Sequence, residues 1–152
     1  GLGDVYKRQM VNQVETHPHN QQSEAKKWME KYDVRHEAWA PFGEGRNGLF
    51  DEPALAQIGT KYRKTPAQVI LRWHIQRNTI VIPKTTHYDR MVQNINVFDF
   101  SLTDEDMAKI ASLDKEQSSF FSHYDPNMVE WFVKMVEERK TKHRSENEKK
   151  AW

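Results

Sequence analysis

The stretch Ile80 to Asn94, IVIPKTTHYDRMVQN, places one ammonium, two hydroxyls, one guanidinium and two amides around a strand end and a helix start. Pro83 closes a short apolar run, and Lys84, Thr85 and Thr86 follow it directly. Arg90, Gln93 and Asn94 then recur at helical spacing. Lys84 offers a point charge to a phosphate, and the threonine hydroxyls can donate beside it. A planar guanidinium stacks on a purine as well as pairing with phosphate. A helix N-terminus adds backbone donors and a favourable dipole. Each residue alone has a plainer reading: Lys84 as a solvated charge, Thr85 as an N-cap, Arg90 as part of an amphipathic surface. Gathered after an apolar strand, in a chain with further strand and helix units, they point to a site for a phosphorylated ribose beside an aromatic base.

Trp39 ends a second strand and leads into APFGEGRNGLFD. An indole there is a flat wall for a planar ring. Gly43, Gly45 and Gly48 let backbone amides approach a phosphate. Their spacing is not GxGxxG, so without the lysine cluster a core tryptophan and an ordinary loop account for them. Gln13 lies inside the first strand. Its amide either bonds a neighbouring strand's side chain or faces a ligand carboxamide, and position alone does not choose. His17-Pro18-His19 has no third ligand nearby and reads as loop rather than metal site. His74 reads as structural or exposed. Asp51 and Glu52 read as helix-start residues, not an acid–base pair.

These groups need elements to hold them. Met10 to Glu15, Val34 to Ala40 and Thr79 to Pro83 read as buried parallel strands. Between them, Gln21 to Tyr32 sets Ala25, Trp28, Met29 and Tyr32 on one helical face. Glu52 to Tyr62 repeats the pattern with Leu55, Ile58 and Tyr62, with Asp51 as cap and Pro53 in the first turn. Thr65-Pro66 opens a helix over Ala67 to Arg77 that is apolar on several sides, as a sandwiched helix is. A short helix follows Tyr88. Thr103 starts another with acidic residues first and Met107, Ile110 and Ala111 as its stripe. Asp125-Pro126 opens the last, with Val129, Phe132, Val133 and Val136 inward, and Glu138 to Lys150 reads as a frayed, charged tail. The alternation implies the α/β class, a parallel sheet and right-handed crossovers. A mean hydropathy of −0.92 leaves a thin core. A parallel sheet needs cover on both faces, so the chain reads as a piece of something larger.

A net charge of +1 marks no strongly basic nucleic-acid binder, and glutamates interrupt the basic tail. The lack of cysteine removes disulfides and thiolate chemistry. No apolar run is long enough for a transmembrane helix, and GLGDVYKRQ lacks the apolar centre of a signal peptide. The expectation is a soluble cytoplasmic protein with no nucleic-acid or membrane partner.

Five segments stand in one order: VNQVETHPHNQQ, EAWAPFGEG, KTPAQVILRWHIQ, IPKTTHYDRMVQN and FDFSLTDEDMAKI. Together they resemble the C-terminal half of an aldo-keto reductase, most like the bacterial 2,5-diketo-gluconate reductase branch, over Met10 to Lys140. The resemblance implies a partial (β/α)₈ TIM barrel: the last three strands, their helices and a C-terminal helical extension. It sets residues 1–9 apart as a non-family segment, similar to adapter read-through in assembled environmental sequences. Residues 141–152 become a charged flexible tail.

The resemblance also implies NADP(H) at the strand C-termini. Gln13 would hold the nicotinamide carboxamide and Trp39 would stack on its ring. Backbone amides near Phe42 and Gly43 would serve the pyrophosphate, since Ala40 stands where the family often has serine or glycine. Lys84 and Thr85 would bind the 2′-phosphate with Thr86 beside them, Arg90 would lie against the adenine, and Gln93 and Asn94 would reach its edge. The family often has tyrosine at Trp39's position and glutamate at that of Gln93. The implied reaction is hydride transfer from NADPH to an aldehyde, ketone or sugar-derived dicarbonyl, by a monomeric parent. Its tyrosine acid and the lysine, aspartate and histidine around it belong to the first half of the family's barrel, and Tyr6 and Lys7 do not match them. No catalytic or metal-binding residue is therefore expected here, and the isolated chain is expected to fold poorly and to be inactive. The alternative is a non-catalytic NADP-binding module that senses cofactor or docks a partner. Phe120, Phe121 and Tyr124 either line a substrate pocket or pack under the barrel.

Overall fold

Three short segments build a parallel sheet in the computed structural model, which describes residues 8–122 and 125–150, the last ten by backbone alone. The strands β1 (Val11–Glu15), β2 (Arg35–Trp39) and β3 (Ile80–Val81) lie in the order β1-β2-β3. Gln13 pairs with Glu37, Glu15 with Trp39, and Glu37 in turn with Ile80. All run one way, so their C-terminal ends share one edge. The third strand is shorter than the expected Thr79 to Pro83. Thr79 N–H goes instead to His74 O at 3.0 Å, and Pro83 has no N–H for a ladder. The second stops at Trp39 because Ala40 turns left-handed, at φ 47°.

The sheet face bearing His36 and Ala38 is buried. His36 ties the strands together there, with Nε2 2.8 Å from Thr16 Oγ1 and Nδ1 3.5 Å from Thr79 Oγ1. Thr16 donates its own proton to Val14 O, so Nε2 of His36 carries the ring proton. The opposite face is open: Val11, Ile80 and Ile82 are 41%, 44% and 59% exposed.

The described residues form six α-helices: α1 (Ser23–Lys31), α2 (Pro53–Tyr62), α3 (Pro66–Gln76), α4 (Tyr88–Ile95), α5 (Asp104–Ala111) and α6 (Asn127–Lys150). Thr65 and Thr103 each complete a capping box, with Gln68 and Asp106 reaching back from the third helical position. Asp51 does not cap α2. The capping position is Glu52, whose carboxylate turns to His19 Nε2 at 2.6 Å. α1 starts later than expected because the Gln21 amide donates to the carbonyls of Pro18 and Ile110, at 2.8 and 2.7 Å.

The core gathers Leu49, Leu55, Ile58, Val69, Ile70, Trp73, Leu102 and Ile110, mostly from α2, α3 and α5. Ala111, expected in the α5 stripe, is exposed. The expected stripe on α1 splits: Met29 is buried, while Trp28 and Tyr32 stack on each other in the open with Lys31 Nζ 4.6 Å over the Trp28 ring. Residues from Phe120 onward form a separate compact unit. Its helix α6 continues to Lys150, so the segment expected to fray is helical. Within that unit Phe132 packs edge-on to Phe121 at 5.0 Å. Met128, Phe132 and Met135 are its half-buried side, while Val129, Val133 and Val136, expected inward, are exposed. Tyr124 lies outside the described residues.

Candidate functional site

The shared strand edge collects side chains from all three strands. Gln13 is exposed on β1, and its Nε2 donates to Glu37 Oε1 at the paired position of β2. Trp39 is half-buried at the end of β2 and shares Gln13's side of the sheet, because its partner Glu15 is two residues from Gln13. The loop Gly43–Asp51 follows, with Glu44, Gly45, Asn47 and Gly48 all left-handed. The Phe42 ring lies 5.5 Å from that of Phe50. Gly43 is buried at φ 55°, and its N–H is donated to Ala40 O at 2.8 Å. The amide expected to face a pyrophosphate is therefore spent inside a turn.

Past β3, Lys84 and Thr86 are exposed, as are Arg90 and Gln93 on α4. Ion pairs among the described residues occupy Lys26, Lys61, Lys64 and Lys115 but neither Lys84 nor Arg90. Thr85 Oγ1 accepts the His87 N–H at 3.1 Å and closes the turn into α4. Gln93 contributes its backbone, its carbonyl accepting Gln68 Nε2 at 3.1 Å. Thr85 and Asn94 line a cavity of about 460 Å³ with Val81, Pro83, Met91 and Ile95. Lys84 and Arg90 thus stand as uncommitted cations, while Thr85 and Asn94 lie beside apolar surface.

Glu15 carries no local motif, and by sequence His17 and His19 read as loop residues. They do follow β1, but they are buried. Glu15 accepts from His17 Nε2 at 2.9 Å, Ser118 Oγ at 2.5 Å and Ser119 N at 2.8 Å. Burial pushes its carboxyl up, but the hydrogen bonds from His17, Ser118 and Ser119 together outweigh that and hold it below the usual carboxylate range. Ser119 Oγ lies 3.1 Å from the same His17 nitrogen and accepts Asn47 Nδ2 at 3.1 Å. Both neighbours meet Nε2 and Nδ1 has no partner among the described residues, so no acid–imidazole–serine relay exists here. His19 Nε2 bonds Glu52, and burial, outweighing that carboxylate, lowers its pKa. No group of three or more potential metal ligands converges among the described residues. The serine donors to Glu15 lie 103 and 104 positions away, beyond the reach of any local motif.

The model of the Aldo/keto reductase family matches residues 5–115 of this sequence. This chain belongs to the aldo/keto reductase family. The match opens inside the stretch 1–9 that the sequence reading set apart. Methylglyoxal reductase DkgA of Escherichia coli (strain K12) is 37% identical over 106 residues, covering 70% of this chain and 38% of that protein. Glyoxal reductase of Bacillus subtilis (strain 168) is 41% identical over 116 residues, 76% of this chain and 41% of that one. The crystal structure of a Gox0644 mutant in complex with NADPH aligns with a TM-score of 0.72 at 37% identity, covering 83% of this chain and 45% of the other. This aldo/keto reductase chain therefore spans about two fifths of the curated relatives it matches. Gln13, Glu15, His17, Trp39, Lys84 and Arg90 fall inside the family match, while Ser118 and Ser119 lie just past it.

Proposed function

We propose that the chain forms the last three strand–helix units of a (β/α)₈ barrel and carries the NADP(H)-binding edge of a cytoplasmic enzyme that reduces aldehydes, ketones or dicarbonyls. One observation carries this reading: Trp39 ends β2 and the segment from Lys84 to Arg90 follows β3, while Gln13 lies two residues short of the end of β1 on Trp39's side of the sheet. In barrels of this kind ligands bind at that end. Trp39 offers a ring face to the nicotinamide and Gln13 an amide to its carboxamide. A 2′-phosphate needs a cation not already neutralised, and Lys84 meets that need, with Thr85 and Thr86 as neighbouring hydroxyls. Arg90 lies against the adenine, with Gln93 and Asn94 at its edge. Phe42 walls the loop, and Gly43 shapes its turn rather than donating. NADPH, where bound, supplies the hydride.

The names of the relatives support small dicarbonyls as substrates, and the NADPH in the related crystal structure supports the cofactor. The exposed face with Val11, Ile80 and Ile82 is the surface that the remaining strands of a closed barrel would cover. No helix among the described residues is long and apolar enough to cross a membrane. The isolated chain is inactive in this reading, because the tyrosine acid implied by the family has no match in it.

Fluorescence titration of the purified chain with NADPH and with NADH tests the cofactor assignment. NADPH should bind the tighter, and Lys84→Ala should remove the preference. Equal affinity of the unmodified chain for both cofactors would overturn the assignment. Methylglyoxal turnover at an ordinary enzyme rate would overturn the inactivity.

A further inference from the structure

Three stretches far apart in sequence meet at one buried carboxylate. Glu15 ends β1, Ser118 and Ser119 follow α5, and Asn47 sits in the loop after Trp39. Glu15 is only 2% exposed, and its two oxygens take the Ser118 hydroxyl, the Ser119 N–H and the His17 ring N–H. This fixes Ser119, whose Oγ then accepts Asn47 Nδ2 and whose carbonyl accepts Arg46 Nη1 at 3.5 Å. Gly43 packs against the same group: a Cβ there would lie 3.5 Å from Ser119 Oγ and 3.7 Å from the His17 ring. Glu44 and Asn47 are left-handed, at φ 53° and 57°, although neither is glycine. Such conformations persist where surroundings impose them. Both residues are exposed, so packing does not impose them. Hydrogen bonds from Asn47 and Arg46 hold the loop to Ser119.

We propose that Glu15 is a positioning residue: through Ser119 it sets the conformation of the loop Gly43–Gly48, and so the way that loop meets the cofactor. The effect on the loop stands on the contacts alone, while the effect on the cofactor rests on the NADP(H) reading above. A carboxylate suits the task because all three of its partners are donors. A glutamine of the same shape keeps one acceptor oxygen and turns an NH₂ toward Ser118 or toward His17 and Ser119. With the NH₂ toward Ser118 that hydroxyl accepts instead of donating and the knot stays closed, whereas leucine, of similar size, offers no acceptor and opens every arm.

Hydrogen–deuterium exchange on the full chain, read together with NADPH titration, tests this in Glu15→Leu and Asn47→Ala. Exchange at amides 43–48 should speed by about tenfold or more in Glu15→Leu, while the amides of α3 keep their protection. NADPH binding should weaken by about tenfold in the same variant. Unchanged exchange at 43–48 with α3 intact overturns the proposal. Faster exchange with unchanged NADPH affinity overturns the positioning role and leaves Glu15 a purely structural residue. If Glu15→Leu loses α3 protection as well, it has unfolded, and Asn47→Ala decides by the same criteria. If the unmodified chain binds no NADPH, the cofactor reading fails, and exchange alone decides whether Glu15 sets the loop.

Discussion

Asp106 shows how much one carboxylate can hold in this chain. It is 6% exposed and accepts from Tyr62 OH at 2.5 Å, Lys61 Nζ at 2.9 Å and Thr103 N at 3.0 Å. Burial pushes its pKa up, but these hydrogen bonds outweigh it and keep the group well below the ordinary carboxylate value. Asp106→Asn should lower the stability measured by urea unfolding by about 2–3 kcal/mol, because an amide turns its NH₂ against a neighbouring donor. Lys61→Met should cost much less, since the lysine is half-exposed and leaves the other partners in place. Equal losses would show that the ion pair, not the set of hydrogen bonds, carries the site. Asp106 and Thr103 were legible as a helix start, because a capping box is a local pattern. The Tyr62 and Lys61 donors were not, since they lie 44 and 45 positions away. The same distinction separates Lys84, which follows the strand by order in the chain, from Glu15, whose serine partners only the fold supplies. The turn at Gly43 was hidden for a local reason: its amide bonds Ala40 O, a bond that glycine spacing does not reveal.

Helix ends tell how far local rules reach. α3 and α5 begin where Thr-x-x-Gln and Thr-x-x-Asp predict, whereas α1 begins late because Gln21 is drawn to Ile110, 89 residues on. Helical spacing placed Trp28 with Met29, but it cannot say which part of a stripe meets a neighbour, and only Met29 does. The close of α2 carries a sharper consequence. Lys64 N–H bonds Gly59 O at 2.8 Å around left-handed Arg63, folding the chain back so that a Cβ on Gly59 would sit 2.4 Å from Lys64 O. The atom in the way is backbone and cannot swing aside. Alanine is the better helix former by about 1 kcal/mol, so propensity alone favours Gly59→Ala. The clash should win, with a net loss of about 1–3 kcal/mol in thermal or urea unfolding. An unchanged or raised midpoint would mean that the turn after α2 relaxes freely.

Across the whole chain, the sheet is unequal on its two sides. The α/β class and the parallel strands were legible from alternation. The inequality was legible only as too few apolar residues for two covered faces. The exposed side, with Val11, Ile80 and Ile82, is where further strands would pack, and the covered side sets the response to acid. His36 is buried between Thr16 and Thr79, and burial, reinforced by the charges of Lys26 and Arg77, lowers its pKa from 6.5 to about 4. His74 is fully buried in α3, and burial, then the charge of Arg77, lowers its pKa to about 3. Neither of its ring nitrogens reaches a partner at hydrogen-bonding geometry among the described residues, though the Pro41 carbonyl lies close enough to favour the protonated ring. Both folded values lie below the unfolded one, so unfolding takes up protons as pH falls. Their contribution is therefore whole above about pH 6.5 and declines below it, until pH reaches about 4 for His36 and about 3 for His74. Each histidine should remove about 1 kcal/mol or more per pH unit across that window. The depressed carboxylates Glu15 and Asp106 give up their contributions only at lower pH, as it falls through their own lowered values, so the decline between pH 6.5 and 5 belongs to the imidazoles. Urea midpoints measured at pH 7, 6 and 5 should fall steadily, and His74→Met should flatten the fall, because methionine fills the site with nothing to protonate. A slope identical in His74→Met and the unmodified chain would mean that His74 already carries its proton inside the fold.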